Sequence, residues 1–141
     1  LWTGSKCMTK LECVVEDGGR LVLYGPHITS PALSYEGGGW HERIGYHVRD
    51  WVLAHRPSFP EAPLAVLADL MQLPGTGTWA AGVESRRIEV LLATGIPEER
   101  CRAIGLGWAD PAAWRPEDHA RRAEADTLVV PEAGEVLYRL G

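Results

Sequence analysis

A chain of 141 residues, 45% apolar and 23% charged, suits one folded domain around a single hydrophobic core. Its net charge of −5, with no stretch in which Lys and Arg alternate with aromatics, sets nucleic acid aside as a partner. The longest apolar runs, such as Leu64 to Ala68, fall far short of the ~20 residues that span a bilayer, so no membrane partner is expected.

In chain order, residues 1–17 read as a helix, because Met8, Leu11 and Val15 recur at helical spacing and Asp17-Gly18-Gly19 supplies a stop. The pattern is already under way at Leu1, which is read as a sign that a further part precedes it. Arg20 to Tyr24 is a short apolar strand closed by Gly25-Pro26. A loop rich in Gly, Pro and Ser follows, and its Gly37 to Gly39 run resembles a hinge or flap. The next helix is expected over 40–55, with Ile44, Val48, Trp51 and Val52 forming an apolar stripe and Arg43, His47, Asp50 and Ala54 opposite. Arg56-Pro57 stops it, since a residue before proline avoids helical geometry.

Leu64 to Leu70 is apolar except for Asp69, and periodicity leaves strand and short helix both open. Pro74 to Gly77 and Ala81-Gly82 are expected to bracket a loop around Trp79. Arg87 to Thr94 is a buried strand, and Ile96-Pro97-Glu98-Glu99 opens a helix that ends near Gly105 or Gly107. Pro116-Glu117-Asp118 opens another helix in the same way, running to about Ala125. Thr127 to Val130 and Val136 to Leu140 read as closing strands. Helices alternating with short apolar strands predict an α/β fold, a three-layer sandwich with a mostly parallel sheet.

Among the polar residues, Lys6 is the most informative. It falls in the first turns of the first helix, with Thr3 on the same face. A helix amino end together with a lysine suits an anion such as a carboxylate or phosphate. The other reading is a solvated lysine on a helix that starts further upstream. His27 follows the strand end at Gly25-Pro26, where α/β folds place ligand contacts, although a turn histidine with a local hydrogen bond is the reading the residues favour.

The five histidines, at 27, 41, 47, 55 and 119, show neither HxxxH nor HxH spacing, so no protein-only metal site is expected. A metal hydrolase using His27, His41 and His47 is the weakest of the readings. Gly75-Thr76-Gly77 lacks the strand-glycine-helix order of a dinucleotide fingerprint, and the serines lack a nucleophile elbow. Three cysteines without CxxC spacing, and no basic-then-apolar leader, fit a reducing cytoplasm.

Several strings, in order, resemble the nickel-pincer-nucleotide-dependent lactate racemase family. They are Tyr24 to Thr29 (YGPHIT), Ile44 to Asp50 (IGYHVRD), Ala93 to Glu99 (ATGIPEE), Leu106 to Pro111 (LGWADP) and Val129 to Tyr138 (VVPEAGEVLY). The resemblance is to homologues acting on other 2-hydroxy acids more than to lactate racemase itself, and it covers nearly the whole chain. It implies that residues 1–141 form the C-terminal, second domain of a two-domain racemase or epimerase, partnered by the N-terminal domain of the same protein. The lysine that tethers the cofactor, the histidine ligand of nickel and the two acid/base histidines belong to that other domain.

What the resemblance carries onto this chain is an aromatic-polar-x-x-Lys pattern that holds the substrate carboxylate. Here it is Trp2, Thr3 and Lys6, where lactate racemase has Tyr and Gln before the lysine. That difference points to another substrate side chain than lactate's. The implied reaction is hydride removal from the hydroxyl-bearing carbon and its return to either face, on a small 2-hydroxy acid. The chain alone is expected to bind weakly and catalyse nothing. The competing reading is a free-standing α/β module that binds carboxylates or a partner without turnover.

Overall fold

The structure is a computed structural model, and it describes residues 1, 4–31, 39–122, 127–131 and 133. Its frame is a parallel sheet in the order β1-β4-β5, formed by Arg20–Gly25 (β1), Glu89–Thr94 (β4) and Gly107–Trp108 (β5). Parallel neighbours need crossover connections. Between β1 and β4 the chain supplies helices α2 (Trp40–Ile44), α3 (Arg49–His55) and α4 (Leu64–Gln72), then a hairpin of β2 (Gly77–Ala80) and β3 (Val83–Arg86). Helix α5 (Glu98–Ala103) makes the crossover from β4 to β5. Helices α1 (Ser5–Leu11) and α6 (Pro116–Arg122) lie at either end of the described chain. The α/β class read from the sequence is the observed one; the third layer and the place as a second domain belong to the proposal below.

Strand β4 is central and buried on both faces, which explains why it reads as a continuous apolar run. Val90 and Leu92 face a cluster shared with Met8, Ile44, Val52, Leu70 and Ile104, so α1 through α5 all meet on that side. Leu91 and Ala93 face the other way, against Ala109, Val22 and Trp114. Each fully buried aliphatic side chain contributes roughly 1.5–3 kcal/mol from removal from water, which makes β4 the seam of the domain.

Four expectations change. The first helix ends at Leu11 and passes through a 3-10 turn at Glu12–Val14. Arg87 draws the chain away from helical geometry there, donating to the carbonyls of Glu12 and Val15 and to Asp17. The single helix expected over 40–55 is two. Gly45 breaks it with φ 85°, a conformation that suits glycine. The next three amides then leave the helical ladder: Tyr46 donates to the Ile104 carbonyl, His47 to the Leu70 carbonyl and Val48 to the Glu84 carboxylate.

The expected loop around Trp79 is the β2–β3 hairpin, turned by Ala81 and Gly82 with φ of 50° and 80°. Residues 127–130 carry no strand, and Val130 instead packs against the main core. The expected strand at 136–140 and the helix end near Ala125 lie outside the described residues. The undecided segment at 64–70 is helical. No helix among the described residues is long and apolar enough to cross a membrane.

Candidate functional site

Helix α4 buries Val66, Leu67 and Leu70 in the core. Its neighbouring face carries Ala65, Ala68, Asp69 and Gln72, at i, i+3, i+4 and i+7, so these four side chains line up along one stripe. Helix α1 packs beside it. The two alanines leave room between the helices, and a cavity of about 250 Å³ results, lined by Ser5, Lys6, Ala65, Ala68, Asp69 and Gln72. That is slightly below the ~300 Å³ at which drug-sized pockets begin, and suits a small metabolite.

The polar lining is asymmetric in charge. Lys6 is exposed and makes neither a hydrogen bond nor an ion pair among the described residues. Asp69 is 4% exposed, and its Oδ2 lies 3.0 Å from His41 Nε2, itself 3% exposed, on the first turn of α2. A carboxylate so far from water needs such a partner. Tyr46 lies against this pair, its ring centroid 5.7 Å from that of His41. Burial, and then the Asp69 charge, push its phenol far above the usual range, so the hydroxyl stays protonated. Tyr46 Oη is buried without a hydrogen-bond partner among the described residues.

A second polar cluster sits where the helix breaks. His47 directs Nδ1 to Glu84 at 2.7 Å and Nε2 to the Ile44 carbonyl at 3.1 Å. Burial alone would raise the Glu84 carboxyl. Bonds from His47 and the Val48 amide, with the Arg86 charge, outweigh it and hold the group below its ordinary value. Arg86 completes the cluster by donating to the Gly105 and Tyr46 carbonyls. His47 also stacks on Trp51, and Trp51 on His55, with Trp79 edge-on to both Trp51 and His55. Both ring nitrogens of His47 are spent on this clasp.

The sequence-predicted residues divide accordingly. Lys6 stands at the cavity. His27 is exposed in the turn after β1 and does not line it. Trp2 and Thr3 lie outside the described residues. Helix α1 has only seven residues, so the cavity and the ammonium define the site, not the helix end. Among the described residues no group of three or more His, Cys, Asp or Glu side chains is placed to hold a metal ion, and His27, His41 and His47 form no joint site. Sequence reading missed Asp69, Gln72 and His41. The one available signal was the small-and-polar stripe at helical spacing in 65–72.

No family model and no curated protein matches the chain. It is similar to a protein from Thermotoga maritima whose crystal structure was determined as a structural-genomics target. The two are 34% identical with a TM-score of 0.89, over 99% of this chain and 34% of that one. The fold is shared with that protein. This chain therefore spans about a third of its length, and its name states no activity.

Proposed function

We propose that this chain is the substrate-clamping C-terminal part of a cytoplasmic 2-hydroxy-acid racemase or epimerase, with Lys6 as the anchor of the substrate carboxylate. The observation that carries the reading is an ammonium without a partner among the described residues, on the lining of a metabolite-sized cavity. An ammonium held beside a partly enclosed space binds a carboxylate more strongly than one in bulk water, because fewer waters compete. It also stops the acid from swinging, which fixes the hydroxyl-bearing carbon in one place.

Two further findings support the reading. The ordered strings that carry the family resemblance fall on structural junctions: YGPHIT on the exit from β1, ATGIPEE on the exit from β4, and IGYHVRD on the break between α2 and α3. The similar Thermotoga maritima protein is about three times as long, as a two-domain enzyme with this chain as one part requires. The resemblance brings a nickel-pincer nucleotide with it. On this reading the group is held by the N-terminal domain, and this chain's own work is to bind and orient. On the same reading His27, in the turn after β1, contacts a ligand shared with that domain.

The test is to express the full-length protein with its cofactor and screen chiral 2-hydroxy acids by polarimetry and solvent exchange. Interconversion of at least one pair of stereoisomers is expected. Binding of carboxylates without any interconversion would favour the free-standing module.

A further inference from the structure

The cavity is dipolar, and nothing in the family resemblance accounts for its negative end. Asp69 is one of its walls, and the bond to His41 engages only Oδ2, leaving Oδ1 as an acceptor with no hydrogen bond among the described residues. The charge is fixed in place, because a buried carboxylate on a helix, tied to a buried ring, cannot turn out to solvent. One turn further along α4, Gln72 adds an amide that makes no hydrogen bond among the described residues. Tyr46, whose ring lies against His41, keeps a buried hydroxyl with no hydrogen-bond partner among the described residues.

We propose that Asp69 determines specificity, selecting a monocarboxylic acid whose far end carries hydroxyl donors and rejecting a dicarboxylic acid. This rests on the reading of Lys6 as the carboxylate anchor and names the substrate class of that same site. With one carboxylate on Lys6, a polyhydroxy chain donates to Asp69 Oδ1 and to the Gln72 carbonyl. A second carboxylate in that place meets a like charge in a partly enclosed space, which disfavours it by more than tenfold. A ligand as short as lactate leaves Asp69 unanswered and loses the contribution of a charged hydrogen bond, about tenfold or more.

The experiment is calorimetric titration of the full-length protein, free of cofactor so that no turnover intervenes, with D-gluconate, L-malate and L-lactate. Gluconate is expected to bind at least about tenfold more tightly than either of the others. Asp69→Asn keeps the shape and removes the charge, and should raise malate affinity so that the gluconate preference falls by at least about tenfold. Should that variant not fold, Gln72→Lys, at an exposed position, places a cation one turn from Asp69 and should shift the preference the same way.

Malate binding as well as gluconate in the unmodified protein, or a preference unchanged in a folded variant, overturns the proposal. Lys6→Ala and cavity-filling Ala68→Leu separate the two levels. If both leave gluconate binding unchanged, the site itself is wrong. If both weaken it while malate equals gluconate, only the role of Asp69 fails.

Discussion

Replacing Arg86 by alanine tests how the domain holds its broken helix in place. The guanidinium donates to the Gly105 carbonyl at 2.5 Å, to the Tyr46 carbonyl at 2.8 Å and to Glu84 Oε1 at 3.3 Å. It thereby ties β3 to the α2–α3 junction and to the exit from α5. Hydrogen bonds from a charged donor contribute about 1.5–3 kcal/mol each when well formed. The side chain is 23% exposed, so water recovers part of that at the vacated carbonyls. A net loss of roughly 2–4 kcal/mol follows, and with Tm moving by ~3 °C per kcal/mol in a domain of this size, a fall of roughly 6–12 °C.

Thermal unfolding by circular dichroism measures it, with Arg100→Ala as the comparison. Arg100 pairs with Glu42 at the surface, both about half exposed, a type of contact worth at most ~1 kcal/mol. If Arg86→Ala lowers Tm no more than Arg100→Ala does, the clasp is not what secures the junction.

Two more outcomes follow from the same region. Glu84 is held below its ordinary value, so its contribution to stability is complete above the usual carboxylate range and is lost as pH falls through the lowered value. Below about pH 4, Glu84→Gln should therefore lose less stability on acidification than the unmodified chain, as followed by urea unfolding across pH. A slope of stability against pH equal in both would contradict the assignment. Gly77→Ala should destabilise by at least ~2 kcal/mol, because an added Cβ would lie 2.2 Å from the Ser85 carbonyl oxygen and 2.6 Å from Val48. A Tm within 2 °C of the original, on the scale of ~3 °C per kcal/mol, would show that the hairpin moves freely against α3.

Local signals carried the sheet and the later helices. Arg20 to Tyr24 and the run ending at Thr94 read as strands because each is a short apolar block bounded by glycine or proline, and both are strands. Pro97-Glu98-Glu99 and Pro116-Glu117-Asp118 announced α5 and α6 through first-turn chemistry, which is also local. The break at Gly45 was not legible in this way. Its cause is distributed over Ile104, Leu70, Glu84 and Arg86, which capture the backbone groups of Tyr46 to Val48 from three other segments.

The hairpin was hidden by an Ala-Gly turn, where the usual marker of two positive-φ residues is Asn-Gly. The site divided along the same line. Lys6 stood out as a lysine on an early helical turn. Asp69 passed as one polar residue in an apolar run, because its partner His41 is 28 residues away and the cavity it walls exists only once α1 meets α4.

The claim at the centre is that Lys6 holds the substrate carboxylate, and Lys6→Ala in the cofactor-loaded full-length enzyme measures it most directly. Lys6 is exposed and without a partner among the described residues, so its removal should change stability by no more than ~0.5 kcal/mol. Loss of a charge-assisted contact to the carboxylate should lower kcat/KM by roughly 10- to 150-fold on the best 2-hydroxy acid. An unchanged kcat/KM in the folded variant would contradict the account.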